Sequence, residues 1–434
     1  MASPASGISL DPWFDNYADR ASGLSASEVR ALFAVASRPE VVSLAGGMPF
    51  VAALPFDKVR SSVDRVLRDS GPSALQYGSG QGLPQLRERI VEIMALEGIR
   101  AGVDDVVVTT GSQQGLDLIT KLFVNPGDAI LTESPSYVGA MGVFRSYQAR
   151  VEHVAMDEQG MIPQALTERI DYLTRQNVPI KFLYLIPNFQ NPAGVTLSAK
   201  RRLDILDIAK AHKILVLEDN PYGLLWFDKP PPPAIRSADD SGVIYLGSFS
   251  KTFAPGLRVG WVVAPHGIRE KLVLASEAAI LSPSSFSQMI LSDYFEHQDW
   301  KGQIDTFRGL YQERRDTMAA ALASFLPGVS HTMPLGGFYM WLALPEGLDS
   351  KEMLPRAVTE LVAYTPGTAF YANGEGQRHL RLAFCYPTPE FITEGIKRLA
   401  KVITEEIELV STFGPPASEI APATNVDSSS PGVN

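Results

Sequence analysis

Lys251 and Arg258 stand seven residues apart in the run SFSKTFAPGLRVGW, residues 248–261. The apolar run VIYLGS (243–248) before them has the pattern of a strand that ends in a serine-rich turn. A lysine held at the carboxyl end of such a strand sheds water from its ammonium, and a desolvated amine becomes a nucleophile near neutral pH. Ser248, Ser250 and Arg258 add the hydroxyls and the forked cation that suit a phosphate. A lone loop lysine is more often simply solvated, so neighbouring motifs must decide between the two.

The Ser248–Lys251 spacing is shared with the SxxK serine hydrolases. There the motif opens a helix, whereas Pro255 and Gly256 follow closely here, Ser292-Asp293-Tyr294 stands where SDN is required, and no KTG occurs. Three other constellations point elsewhere. Asn191, in PNFQNPAG, follows the candidate strand 181–187, while Asp219 and Tyr222, in LEDNPY, end the candidate strand 214–219. Gly111-Ser112-Gln113-Gln114-Gly115 joins the candidate strand 105–110 to a helix, so backbone N–H groups around Ser112 and Gln113 form an anion site at a helix N-terminus. Each motif alone is weak, because Asn-Pro and Asp-Asn-Pro are common turn formers and Gly-Ser-Gln a common cap. Their shared placement at strand ends, on one edge of a sheet, is a far stronger signal.

The elements that must hold these residues are short apolar strands alternating with amphipathic helices. Further strands are expected at 129–134, 151–156 and 258–264, giving seven in all, with helices at 114–123 and 199–212. Such alternation predicts a three-layer α/β/α domain around a mostly parallel seven-stranded sheet. In sheets of this kind ligands bind beyond the carboxyl ends of the strands. A long helix at 306–326 and strands at 336–344 and 379–385 predict a smaller α+β domain. The division expected is a large domain over 56–310, a small one over 311–413, and a segment 11–55 packing with the small domain. Residues 1–10 and the Pro-, Ser- and Ala-rich 414–434 cannot bury enough apolar surface to offset their ordering entropy, and are expected to be disordered.

Composition narrows the classes further. The chain has 434 residues, a formal charge of −10 and a single cysteine. One cysteine excludes a disulfide framework and cysteine-built metal sites, and the acidic balance argues against a nucleic-acid surface. No apolar run of about 18 residues is present to span a membrane, and the acidic, proline-bearing N-terminus does not have the pattern of a signal peptide; a cytoplasmic protein is expected. The histidines show no metal-ligand spacing and HExxH is absent, so no metal is expected. Tyr77-Gly78-Ser79-Gly80-Gln81-Gly82 superficially matches a dinucleotide fingerprint but lacks a preceding strand.

Taken in order, GSQQGL, ESPSYVG, PNFQNPAG, EDNPY, SFSKTFAPGLRVGW and the late Arg381 closely resemble the fold-type I pyridoxal-phosphate (PLP) aminotransferases. The resemblance covers about residues 25–412 and is closest to the kynurenine/2-aminoadipate and aromatic branch; EDNPY departs from the EDDPY common among relatives, though Asp219 is kept. It implies pyridoxal 5'-phosphate linked to Lys251, with Asp219 against the ring nitrogen, Asn191 and Tyr222 on the phenolic oxygen and Tyr137 stacked on the ring. It implies that Ser112, Gln113, Ser248, Ser250 and Arg258 hold the phosphate, joined by Tyr77 of a neighbouring subunit in a homodimer with shared active sites. Arg381 would fork onto the substrate α-carboxylate, and Gly47 would let the backbone approach the substrate closely; Arg30, in the helical pattern SASEVRALFAVASR, is either a partner for a distal carboxylate or a solvated helix charge. The activity implied is ping-pong transfer of an amino group from an aromatic, branched or 2-aminoadipate-like donor to a 2-oxo acid, usually 2-oxoglutarate. A β-lyase or decarboxylase would share the same cofactor core, and some bacterial regulators use this fold as a ligand sensor behind a DNA-binding module.

Overall fold

Runs rich in Val, Ile and Leu become the strands, because β-branched side chains lose little rotamer freedom on a pleated sheet. The computed structural model describes residues 11, 13–23, 38 and 40–413. Its strands are β1 (Val42–Ser43), β2 (Val106–Thr109), β3 (Ala129–Ser134), β4 (Arg150–Asp157), β5 (Gly160–Met161), β6 (Ile180–Leu185), β7 (Leu215–Asp219), β8 (Val243–Ser248), β9 (Gly260–Val263), β10 (Ser330–His331), β11 (Tyr339–Ala343), β12 (Val362–Ala363), β13 (Thr365–Pro366) and β14 (His379–Ala383).

The large sheet has the order β2-β9-β8-β7-β6-β3-β4-β5. The seven strands expected from the sequence are all in it; the eighth, β5, is a two-residue partner of β4 and too short to leave a periodicity. Pairings from β8 through β7, β6 and β3 to β4 are parallel, whereas β9 runs antiparallel to both β8 and β2. Two successive reversals return β2 to the direction of β8. The carboxyl ends of β2, β8, β7 and β6 therefore open on one edge, and each carries one of the motifs singled out above.

Strand alternation sends neighbouring residues to opposite faces. Leu131, Leu183, Leu185 and Val216 pack on one face against Leu166, Ile170 and Ile205 of the helices Pro163–Arg175 and Ala199–Ala211. Ile130, Phe182, Tyr184 and Leu217 pack on the other with Phe144, Leu116 and Ile90, from three further helices. Glu218 and Asp219 part in the same way. Glu218 turns away from the motif cluster and accepts the Ile235 and Arg236 N–H groups at 2.9 and 2.8 Å, while Asp219 turns toward Tyr184.

The smaller sheet, β10-β11-β14-β13, is antiparallel. Beside it β1 pairs with β12, and the Leu44 carbonyl accepts the Ala383 N–H at 2.7 Å, so the segment 42–44 is hydrogen-bonded to the C-terminal part of the chain. The long helix spans Trp300–Phe325, starting ahead of the expected 306 because the Asp299 carboxylate caps it through the Gly302 N–H at 3.0 Å. The ends 1–10 and 414–434, and Arg30, lie outside the described residues. Among the described residues no helix is long and apolar enough to cross a membrane.

Gly247 sits opposite Trp261 on the β8–β9 pair, and a Cβ there would collide with the indole ring. The ring is buried and packs tilted against Phe249 at a centroid distance of 4.9 Å, so it has nowhere to go. Gly247→Ala is expected to lower the free energy of unfolding by about 1–3 kcal/mol through overpacking, measured by equilibrium denaturation in guanidinium chloride.

Candidate active site

Lys251 follows β8 by three residues, and its Nζ donates to the Gly47 carbonyl at 2.9 Å. Burial, reinforced by the Arg381 and Arg258 charges, pushes the ammonium down to about 8. Asp219, last residue of β7, is 3% exposed. Its Oδ2 accepts the Tyr184 hydroxyl at 2.8 Å, but Oδ1 is buried with no hydrogen-bond partner. Burial lifts this carboxyl to about 6, against the pull of the Tyr184 bond.

An anion cradle lies at the start of the helix Ser112–Phe123. Gly111 takes φ +78°, a conformation L side chains rarely adopt, and a Cβ there would stand 2.6 Å from Arg258 Nη2. A Cβ on Gly260 would likewise come within 2.6 Å of the Ser112 nitrogen. Two missing side chains thus bring the helix N-terminus and the guanidinium together. Arg258 was expected as the first residue of a strand; instead it is left-handed (φ 54°, ψ 51°), closing a 3-10 turn at Pro255–Leu257 two residues ahead of β9. Pro255 and Gly256 favour that turn, and the turn swings the side chain back so that Nη2 donates to the Thr110 carbonyl at 3.3 Å. Ser248 Oγ accepts the Ser250 N–H at 3.1 Å, while Gln113 Nε2 donates to the Gly139 carbonyl at 3.1 Å.

Arg381, on β14, is 3% exposed. Nη1 donates to Asn191 Oδ1 at 2.8 Å, and Nη2 to the Ala45 carbonyl at 2.6 Å and Thr365 Oγ1 at 3.2 Å. The guanidinium stands 4.2 Å from the Tyr339 ring centroid and 4.9 Å from that of Phe370. Every hydrogen-bond partner is neutral, Nε has none, and among the described residues no carboxylate pairs with this charge. A cation buried without a countercharge is costly, and its cavity is the natural place for an anion.

Gly47, Ser112, Gln113, Tyr137, Asn191, Asp219, Tyr222, Ser248, Ser250, Lys251, Arg258 and Arg381 all line one cavity of about 480 Å³. Tyr77 is not in it: it is 77% exposed, after the helix Phe56–Ala74, beside a groove formed with Ser282–Phe286. Arg30 lies outside the described residues. The sequence did not single out Tyr339, Tyr184 or Thr365. Tyr184 and Thr365 look like ordinary strand residues, and only Gly336-Gly337 ahead of Tyr339 hinted at a close approach. Gly47 shows that approach directly, since a Cβ on it would collide with the Tyr339 hydroxyl. Among the described residues no cluster of three or more His, Cys, Asp or Glu could hold a metal ion.

The family model for Aminotransferase class I and II matches residues 40–399. The aromatic-amino-acid aminotransferase 1 of Thermococcus litoralis is 41% identical over 396 residues, 90% of this chain and 95% of that protein. The 2-aminoadipate transaminase of Thermus thermophilus is 36% identical, over 92% of this chain and 99% of its own. The crystal structure of Pyrococcus horikoshii kynurenine aminotransferase, in complex with PMP, KYN and KYA, superposes with a TM-score of 0.86 at 39% identity, over 90% of this chain and 97% of that one. The chain belongs to the class I and II aminotransferases: it is a fold-type I, pyridoxal-phosphate-dependent transaminase of the aromatic, 2-aminoadipate and kynurenine branch.

Proposed function

We propose that this transaminase moves the amino group of aromatic, branched or 2-aminoadipate-like amino acids to a 2-oxo acid, chiefly 2-oxoglutarate, by a ping-pong mechanism. The observation that carries the proposal is Arg381, a buried cation that among the described residues has a free Nε and no countercharge, in the same cavity as the Asp219 Oδ1, unpaired among those residues, and the Lys251 amine. Amino donor and oxo acceptor share an α-carboxylate, so one clamp serves both halves of the cycle. Held there, a substrate keeps its carboxylate and exposes Cα–H, which favours transamination over decarboxylation.

These residues fit the cofactor. When bound, it supplies a pyridine ring into which electrons from the substrate Cα are drawn. Asp219 Oδ1 would pair with the protonated ring nitrogen, and Tyr137 would stack on the ring. Tyr222 and Asn191 would donate to the phenolic oxygen. The helix N-terminus at Ser112 and Gln113, with Ser248, Ser250 and Arg258, would hold the phosphate dianion. Tyr77, exposed here, would reach the phosphate of a second subunit in a homodimer. Lys251 Nζ would link to the cofactor and, once displaced by the substrate amine, would take and return the Cα proton, which requires a neutral amine; its lowered pKa makes that form accessible near pH 8. Gly47 and Met48 would border the substrate side chain, with Arg30 meeting a distal carboxylate. On this scheme residues 56–310 form the cofactor domain and 311–413, joined by 11–55, the domain that presents Arg381.

The full cycle is tested on the cofactor-loaded protein, whose visible absorbance band should vanish with an amino donor and return with 2-oxoglutarate. Bleaching by no donor of a panel, or pyruvate and ammonia release without an oxo acceptor, would overturn the proposal. Arg381→Lys keeps the charge but loses the planar fork, so kcat/KM should fall about 100-fold for donors and acceptors alike; a loss confined to one side of the reaction would exclude a shared clamp. The lysine can be read without turnover. In the cofactor-free protein its depressed pKa destabilises the fold fully below pH 8 and progressively less as pH rises toward the ordinary lysine value. Lys251→Met should therefore be more stable than the parent by about 2 kcal/mol at pH 7, with the difference shrinking between pH 8 and about 10 in denaturant titrations.

A further inference from the structure

We infer that Tyr339 is a positioning residue whose hydroxyl governs how strongly Tyr222 donates a hydrogen bond into the cavity, an assignment that rests on the transaminase site proposed above. Both tyrosines are 3% exposed, and their hydroxyls meet at 3.5 Å, with Tyr222 donating to Tyr339. Among the described residues the Tyr339 hydroxyl makes no other hydrogen bond. Its ring is held on two sides: the Arg381 guanidinium lies 4.2 Å from its centroid, and the Gly47 Cα faces its hydroxyl so closely that no Cβ fits between them. The Tyr222 ring packs edge-on against Tyr339 and Phe338, at centroid distances of 6.1 and 5.4 Å. Neither phenol can swing away, so the contact between their oxygens is imposed by packing.

Two hydroxyls in contact can satisfy only one donor between them. With no acceptor in the cavity, the Tyr222 proton goes to Tyr339. An anionic oxygen in the cavity would draw that proton to itself. The Tyr222 oxygen is then free to accept the Tyr339 proton, which otherwise has no acceptor. The result is a two-link chain, Tyr339 to Tyr222 to the anion, in which the outer link polarises the inner one and strengthens it. Phenylalanine at 339 would keep the ring, its packing on Arg381 and its edge contact with Tyr222, and would remove only the outer link. Among the described residues, the ionisable groups that act on the pair are Tyr137, Arg381 and Cys385, and Asp219, Lys251 and Arg258 line the same cavity; all are unchanged in that variant.

The test uses the full-length, cofactor-loaded enzyme and the pH dependence of its visible absorbance band, which reports how well an anionic phenolic oxygen is stabilised, with Tyr339→Phe made in both the parent and a Tyr222→Phe background. Weakening the hydrogen bond to that oxygen should raise the apparent pKa of the band by about half a pH unit in the parent background. With Tyr222 already replaced, the second substitution should add nothing, because its only route of action is gone. No shift or a downward shift in the parent background, or the same shift in both, overturns the assignment. A parent protein that shows no visible band would instead overturn the proposed function and this assignment together.

Discussion

The buried charges around one cavity are left incomplete by the protein itself. Among the described residues, Asp219 presents an oxygen with no donor, Arg381 a guanidinium with no counterion, and Lys251 an amine whose hydrogen bond goes to a backbone carbonyl. Each arrangement opposes folding, because a charge removed from water needs a partner. The remainder of the fold must be stable enough to hold all three around one cavity. The sheet achieves this through direction: a double reversal at β9 aligns the ends of β2, β8, β7 and β6 on one edge. Alternation along β7 then separates two consecutive acids. Glu218 is fully served by backbone N–H groups, and Asp219 keeps an open oxygen.

Packing explains how the cations avoid pairing with the anions. Arg381 spends its Nη groups on Asn191, Ala45 and Thr365 and its flat faces on Tyr339 and Phe370. These neutral partners fix its orientation without cancelling its charge. The Arg258 side chain is aimed by a left-handed turn and by the absence of side chains at Gly111 and Gly260. The cradle is shaped as much by atoms left out as by atoms supplied.

The strand-end motifs made much of this legible before any coordinates. Lys251, Asp219 and Asn191 combine informative residue types with apolar runs that place them on a common edge, and the cavity brings them together. Periodicity failed where an element was too short to have one, as in β5, or where a turn replaced the start of a strand, as at Arg258. Tyr184 and Tyr339 escaped notice for a different reason. An aromatic in a strand almost always reads as core, and both are indeed buried; only their register against Asp219 and Gly47, set by tertiary packing, gives their hydroxyls a task. Tyr77 could be named from resemblance alone, because the phosphate it would meet belongs to a second subunit, and Arg30 itself lies outside the described residues.

The segment that pairs with β12 and bonds to Ala383 also passes the Ala45 carbonyl to Arg381 and the Gly47 carbonyl to Lys251. Both contacts are made by main-chain oxygens, which every amino acid carries. Side-chain mutagenesis is therefore blind to them: a scan through 45–47 would report steric effects of the new side chains and leave the two acceptors in place. Replacing individual amides by esters, which weakens the carbonyl as an acceptor while leaving the side chain alone, is the kind of chemistry that can see this part of the site.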